Sequence, residues 1–457
     1  MARDTIPVTK GQTYTISIAG LGHSGEGVGR CENFTVFVPG GLPGEEVITR
    51  ITEVKKNYAK GRLVKVETIS PHRVEPVCKI FSECGGCQLQ HLDYPAQLAS
   101  KRQTVVDAVR RIGGLEGVII HPTMGAKDPW YYRNKMQFPV GGEKGKLDVG
   151  CYAQGTHTII NVDDCRIQHS ANNLIANKVR DIAAGLGISP YDERTGRGVL
   201  RHVLGRVGVV GGEIMIVLVT AVPDFPERDK LVDALKNNIP GLVSLVQNIN
   251  SRNTNVILGN RTRTLWGRDT ITDRLGDFNF HISAQSFFQV NTAQAAVLYE
   301  KALEYAGLTG SETVIDAYCG TGTITLFLAR KATKVYGIEV VEPAVLDARR
   351  NAARNNIENV EFIVGDAVEV MPKLYADGIR PHAIVVDPPR AGCAPAVLQT
   401  FAAMQPARII YVSCNPASLA RDLALLNDLG YITREIQPVD MFPQTYHVEC
   451  VALIQRK

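Results

Sequence analysis

The sequence predicts an α/β protein: a doubly wound parallel sheet at the C-terminal end, a small β-barrel at the other, and an α+β region between them. Three observations carry this. From residue 312 onward, strand-like runs alternate regularly with helical ones, the pattern of a parallel sheet with helices on both faces. Residues 6–66 hold only short β-rich runs between glycine turns, with no room for a long helix. The middle, roughly 130–280, mixes short strands and helices and gives the weakest signal.

The barrel rests on runs at 14–18, 34–37, 46–54 and 60–67, with turns at Gly25-Glu26-Gly27 and Gly40-Gly41. So short a sheet removes its exposed edges by closing. Next comes a cysteine-rich stretch, then a helix over 95–112, where Leu98, Val105, Val106, Val109 and Ile112 recur at helical spacing. Lys101, Arg102, Arg110 and Arg111 are expected on or beside its other face. In the middle, 201–210 and 213–221 predict a hairpin around Gly211-Gly212, and 244–250 and 256–258 further strands. The C-terminal strands are expected at 313–317, 334–340, 360–364, 383–386 and 408–412. Two last strands, 431–438 and 449–454, have no helix between them and predict an antiparallel pair at a sheet edge.

A length of 457 residues, 45% hydrophobic and 21% charged, fits two to four domains with full-sized cores. No stretch approaches the ~18 consecutive apolar residues of a membrane helix. Met1 to Lys10 is polar and lacks the apolar core of a signal peptide. The expectation is a monomer that stays in the cytoplasm, without a membrane partner. A net charge of +4 does not announce a nucleic-acid binder, but Lys55, Lys56, Lys60, Arg62 and Lys65 crowd around Tyr58.

Asp316 to Thr323 (DAYCGTGT) leaves the first C-terminal strand and enters a helix. Glycines there let the backbone approach a ligand closely. Glu339 ends the second strand, where an acid holds the ribose hydroxyls of a nucleoside. A dinucleotide fingerprint would need a third glycine, which the stretch around Leu326 lacks, and Asp316 would repel a pyrophosphate. S-adenosylmethionine carries a positive sulfonium and no phosphate, so an acid suits it. Gly365-Asp366-Ala367, after the third strand, is placed to meet the adenine.

Asp387-Pro388-Pro389-Arg390 follows the fourth strand, and Ser413-Cys414-Asn415-Pro416 the fifth. Both lie at the carboxyl edge, where such sheets bind ligands. An Asp-Pro-Pro there also suits amino-group methylation, which needs no nucleophile. Carbon 5 of a pyrimidine does need one, because it has little nucleophilic character until something adds to carbon 6. Cys414 supplies a thiolate for that addition. A base must then remove the carbon 5 proton, and Glu449, in Phe442 to Glu449, offers a carboxylate. His447 competes for the role.

These motifs, with Ser286-Phe287-Phe288-Gln289-Val290-Asn291, together resemble the RNA uracil-5 methyltransferases, in particular the branch acting on large-subunit ribosomal RNA. The resemblance covers nearly the whole chain. It implies a Rossmann-like class I methyltransferase domain at 281–457, a central domain at 68–280, and an OB-like TRAM barrel for RNA binding at 6–67. It implies that Cys414 is the nucleophile and Glu449 the base. Gln289, Tyr318, Thr323, Glu339, Asp366 and Asp387 would line the S-adenosylmethionine site, and Phe287 would pack near the target base. The helix over 95–114 would dock on the catalytic domain.

Cys78, Cys84 and Cys87 fall within ten residues, with Cys165 remote. Zinc would accept four cysteines, but the second of its usual paired C-x-x-C knuckles is missing. Three near ligands and one remote resemble iron–sulfur ligation, and the family resemblance implies a [4Fe–4S] cluster. Cys151 is the rival fourth ligand. The target uridine must leave its stack to reach Cys414, so looped or single-stranded RNA is the expected partner. Tyr132-Arg133-Asn134-Lys135 offers it aromatic and basic contacts. A transfer-RNA uracil methyltransferase is the nearest alternative, against which the barrel argues, since the short bacterial enzymes of that kind resemble only the catalytic half. A non-catalytic RNA-binding protein with a relict fold is the other, opposed by the intact Cys414 and Glu449.

Overall fold

The structure, a computed structural model, describes residues 6–457; residues 1–5 of the polar N-terminal stretch lie outside the described residues. Strands β1 (Thr13–Leu21), β2 (Gly27–Cys31), β3 (Phe34–Val38), β4 (Glu46–Val54) and β5 (Tyr58–Thr68) close a barrel in the order β1-β2-β3-β5-β4. Alternate residues point inward: Ile16, Ile18, Val36, Val38, Val47, Ile51 and Ala59 are buried together. β2 is a strand where the sequence suggested a turn. Its Gly29 serves close approach between strands, since an added Cβ would lie 2.4 Å from Ile16 Cγ2. The basic run on β4 and β5 is partly neutralised, with Glu53 pairing Lys55 and Lys60, and Glu67 pairing Lys65.

Helix α1 (Tyr94–Arg111) starts at Asp93, whose side chain caps it by accepting from Ala96 N, and Pro95 suits the first turn. It packs against the C-terminal sheet: Val105, Val106 and Val109 share a core with Leu419 and Leu423. The short β6 (Ile119–Ile120) then joins that sheet.

The middle is a seven-stranded sheet, ordered β13-β12-β11-β10-β7-β8-β9. Its strands are β7 (Lys135–Glu143), β8 (Lys146–Tyr152), β9 (Ile159–Asn161), β10 (Leu200–Val207), β11 (Ile214–Thr220), β12 (Leu242–Ile249) and β13 (Arg261–Gly267). Helices α2 (Ser170–Gly185) and α3 (Arg228–Asn238) cover one face, with Ile175, Val179, Leu231 and Leu235 packed on Met136, Val203 and Ile216. The other face packs Leu204, Met215, Val217 and Val246 into the core of the C-terminal region. A separate hairpin, β14 (Thr270–Leu275) and β15 (Phe278–Ser283), follows.

The remaining elements are α4 (Thr292–Ala306), β16 (Thr313–Ala317), α5 (Thr323–Ala329), β17 (Lys334–Glu339), α6 (Glu342–Arg354), β18 (Val360–Val364), α7 (Ala367–Ala376), β19 (Ala383–Val386), α8 (Pro395–Met404), β20 (Arg408–Ser413), α9 (Pro416–Asp428), β21 (Tyr431–Val439) and β22 (Glu449–Arg456). Their sheet is ordered β18-β17-β16-β19-β20-β22-β21-β6. The order reverses between β16 and β19, and ligands bind at the carboxyl ends beside such a switch. β21 and β22 pair antiparallel as expected. They do not form the edge, because β6 adds in parallel outside β21.

Candidate active site

Strand register assembles the reactive groups. β20 and β22 run antiparallel with Ser413 opposite Cys450. One rung further, Cys414 leaves β20 as Glu449 enters β22. Residues opposite each other on such a rung share a face, with Cβ atoms ~4.5–5.5 Å apart. Cys414 is half-buried, and Glu449 is only 6% exposed. Asp387, directly after the neighbouring β19, completes the group.

Burial and mutual repulsion govern the charges here. Glu449 is pushed up to about 8 by burial first and by Asp387 second, with Arg390 opposing. Burial pushes Asp387 up to about 6. The Cys414 thiol is pushed up to about 11 by burial, then by Glu449 and Asp387, and Arg390 again offsets part of this. His447 is driven down to about 4 by burial and by Arg390, Lys101 and Arg133. Its neutral ring lies against Tyr446, with centroids 4.2 Å apart.

The residues expected to hold the cofactor sit at the carboxyl ends of β16, β17, β18 and β19 and in the turns before and at the start of α4 and α5. Tyr318 and Cys319 both donate backbone N–H bonds to Ile338 O at 2.9 Å, turning the loop after β16. Gly320, at φ +55°, has open space where a Cβ would project. Its N–H donates to Glu339 Oε2 at 3.1 Å, while Glu339 Oε1 accepts from Val341 N at 2.9 Å. Asp366 caps α7 by accepting from Val368 N at 2.9 Å, and its charge reaches the Tyr318 phenol. Sequence reasoning missed Tyr299 on α4. Its hydroxyl accepts from Thr323 Oγ1 at 3.5 Å and neighbours Gln289, Asp387 and Glu449. It sits in an apolar helical stripe, where nothing distinguishes it from core.

Asp316 lies inside β16, which matches the expected strand at 313–317, and is fully buried. Its Oδ2 accepts from Thr325 Oγ1 at 2.6 Å, whereas Oδ1 has no hydrogen-bond partner among the described residues. Burial, then Asp387 and Glu339, push it up to about 7. Buried carboxyls in such numbers fit a cationic ligand, because each is costly to ionise without a counter-charge. S-adenosylmethionine, with its sulfonium and amino group, meets that requirement.

The segment 440–448, which delivers Glu449, is held from behind. Lys101 Nζ donates to Asp440 Oδ1 at 2.5 Å and to Phe442 O at 3.1 Å, and Tyr94 OH donates to Asp440 Oδ2 at 2.8 Å. Gln97 exchanges hydrogen bonds with Gln444 through side chain and backbone. Lys101, expected near the solvent face of α1, is therefore buried, with its side chain 1% exposed, because Asp440 supplies the counter-charge. Removing either charge alone would strand the other, at ~3–5 kcal/mol.

The cysteines converge without forming a ligand set. Cys151 lies beside Cys84, and a bridge between Cys84 and Ala153 lays the cysteine loop along the end of β8. Cys78, Cys87 and Cys165 lie close enough to feel Cys84. All are free thiols, and among the described residues no three His, Cys, Asp or Glu side chains are placed to hold a metal ion. The expected tetrad of Cys78, Cys84, Cys87 and Cys165 is thus not assembled as ligands. The loop's end meets the site, since Gln88 N and Leu89 N donate to Gln444 O at 3.1 and 3.0 Å. No described helix is long and apolar enough to cross a membrane.

A doubly wound sheet with buried acids gathered at its switch point fits an S-adenosylmethionine-dependent methyltransferase. The sequence profile of the tRNA (Uracil-5-)-methyltransferase family matches residues 233–457, and that of the TRAM domain matches residues 7–64. An uncharacterized RNA methyltransferase of Halalkalibacterium halodurans is 50% identical over the whole of both chains. One from Bacillus cereus is 51% identical over 99% of this chain and 98% of its own. The structure of Pyrococcus abyssi tRNA (uracil-54, C5)-methyltransferase in complex with S-adenosyl-L-homocysteine is 31% identical, with a TM-score of 0.77, covering 96% of this chain and 99% of its own. The chain belongs to the RNA uracil-5 methyltransferase family: it is an enzyme, and its substrate is RNA.

Proposed function

We propose that the enzyme methylates carbon 5 of a uridine in large-subunit ribosomal RNA through a covalent adduct on Cys414. The rung shared by Cys414 and Glu449 carries this reading. Gln289, Tyr318, Thr323, Glu339, Asp366 and Asp387 hold S-adenosylmethionine, which supplies an electrophilic methyl group when bound. The Cys414 thiol loses its proton to water, and the thiolate adds to carbon 6. The π pair of the C5=C6 bond shifts onto carbon 5 and the O4 carbonyl, and carbon 5 takes the methyl as the sulfonium S–CH3 bond breaks, which would leave S-adenosyl-L-homocysteine. Glu449 then removes the carbon 5 proton, the double bond re-forms, and the thiolate leaves.

A transfer-RNA substrate is the second reading. The name of the matching profile and of the Pyrococcus abyssi enzyme favour it. That enzyme matches over almost its full length, so the barrel does not separate the two substrate classes. The test uses ribosomal and transfer RNA from cells lacking the gene, incubated with enzyme and labelled cofactor. The expected result is 5-methyluridine in ribosomal RNA. Label confined to transfer RNA overturns that assignment, and label in neither overturns the activity.

The same reading gives Cys78, Cys84, Cys87 and Cys165 a [4Fe–4S] cluster, with Cys151 the competing ligand. The donor chemistry supports it, since Cys78, Cys87 and Cys165 all lie near enough to Cys84 to feel its charge. Protein purified anaerobically should be brown and contain iron and sulfide. Cys84→Ser or Cys165→Ser should lose most of both, and stoichiometric zinc without iron in the wild type overturns the assignment.

A further inference from the structure

Beside the catalytic group lies a set of cations that the chemistry above does not use. Lys135 begins β7 and stands directly opposite Arg206 of β10. Like charges facing each other across an antiparallel pair are destabilising. Arg206 is 4% exposed, and its Nε has no hydrogen-bond partner among the described residues. Its Nη2 donates to Ala284 O at 3.4 Å and Ser286 O at 2.5 Å. Those bonds fix the turn that leads into Phe287, which is 72% exposed, and Gln289.

Arg133, two residues before Lys135 across a bend at Asn134, lies close enough for its charge to reach Lys135. Between them Asn134 is buried. Its N–H donates to Val290 O at 2.8 Å, and its side chain donates to Gln289 O at 2.9 Å and Thr292 Oγ1 at 2.8 Å. The segment 133–135 is thereby stitched to the cofactor-binding turn. Arg133 also reaches the field of His447, at the other side of the catalytic group. Burial and the two arginines hold Lys135 down to about 8, and burial holds Arg206 down to about 10. Lys135 and Arg206 face each other with no ion pair to either among the described residues, a standing cost unless an anion arrives to share them.

We propose that Arg133 and Lys135 form a clamp for backbone phosphates next to the target uridine, with Arg206 fixing the turn that carries the exposed Phe287 beside it. This rests on the RNA-modifying reading of the site and names where the chain of a single-stranded RNA runs. Cations along the backbone and an aromatic face for a base are the two parts such binding needs. The clamp reads charge and not sequence, so its contribution is the same for any flanking bases.

The experiment measures binding of the full-length protein to short uridine-containing single-stranded RNAs across a salt series. Each phosphate contact contributes ~0.7 to the slope of log affinity against log salt on single strands. Lys135→Gln and Arg133→Gln should each lower affinity for all sequences alike and reduce the slope by about that amount. Lys135→Arg should restore the slope, and affinity for S-adenosyl-L-homocysteine should stay at the wild-type value in every variant, which also reports folding. If wild type binds RNA and both glutamine variants keep its slope, the clamp is overturned while the site reading stands. If wild type does not bind RNA, the site reading falls and the clamp with it.

Discussion

Cys414→Ala should abolish methylation while leaving S-adenosylmethionine bound. The two functions are separate in space. Cys414 directly follows β20, near Glu449 at the start of β22, whereas Gly320, Glu339 and Asp366 belong to the ends of β16, β17 and β18. Losing the thiol removes the only group positioned beside Glu449 to add to carbon 6, and without addition carbon 5 cannot take a methyl. Cofactor affinity should move little, because a thiol pushed up to about 11 is neutral and its removal changes no charge near Glu449 and Asp387. Single-turnover methyl transfer and equilibrium cofactor binding, measured on the same preparation, separate the two effects. Methyl transfer near the wild-type rate would remove Cys414 from the chemistry.

How far the sequence reached depended on which force set each element. The C-terminal strands and their order of motifs were legible because alternating strand and helix periods leave little choice of topology. The middle was legible only in part. The expected hairpin over 201–210 and 213–221 and the strand over 244–250 correspond to β10, β11 and β12, whereas the strand expected at 256–258 is absent and β13 (Arg261–Gly267) takes its place, and β7, β8 and β9 gave no signal. Lys101 was misplaced as well. Periodicity assigns a lysine to solvent, and only the distant Asp440 reverses that. The candidate site was legible as residue types at strand ends. Its assembly was not, because the shared rung of Cys414 and Glu449 depends on β22 inserting between β20 and β21. The cysteine loop shows the opposite limit: its spacing says nothing of what it packs on, and a bridge between Cys84 and Ala153 lays it along the end of β8.

Glu449→Gln should stall the enzyme after methyl transfer, as a protein–RNA adduct already carrying the new methyl. Thiolate addition and methylation need no base at carbon 5, but elimination does. Glutamine keeps the shape and hydrogen-bonding capacity of the side chain and removes its basicity. The loss should be the ~10²–10⁴-fold typical of a general base, confined to the elimination step. The pH dependence has a definite sign. A carboxyl raised to about 8 by burial and Asp387 is mostly protonated below that value. Elimination in the wild type should therefore speed up as pH rises toward 8 and level off above it. In the Gln variant that step should lose this dependence. His447 is a poor substitute, since a ring pulled down to about 4 is neutral and only weakly basic at pH 7. With labelled cofactor and RNA, a denaturing gel should show a slow-migrating labelled band for Glu449→Gln, absent from Cys414→Ala/Glu449→Gln. Chasing the adduct at several pH values gives the elimination rate directly. Normal turnover by Glu449→Gln, with no trapped band, would move the base to His447 or to a water chain reaching Asp387.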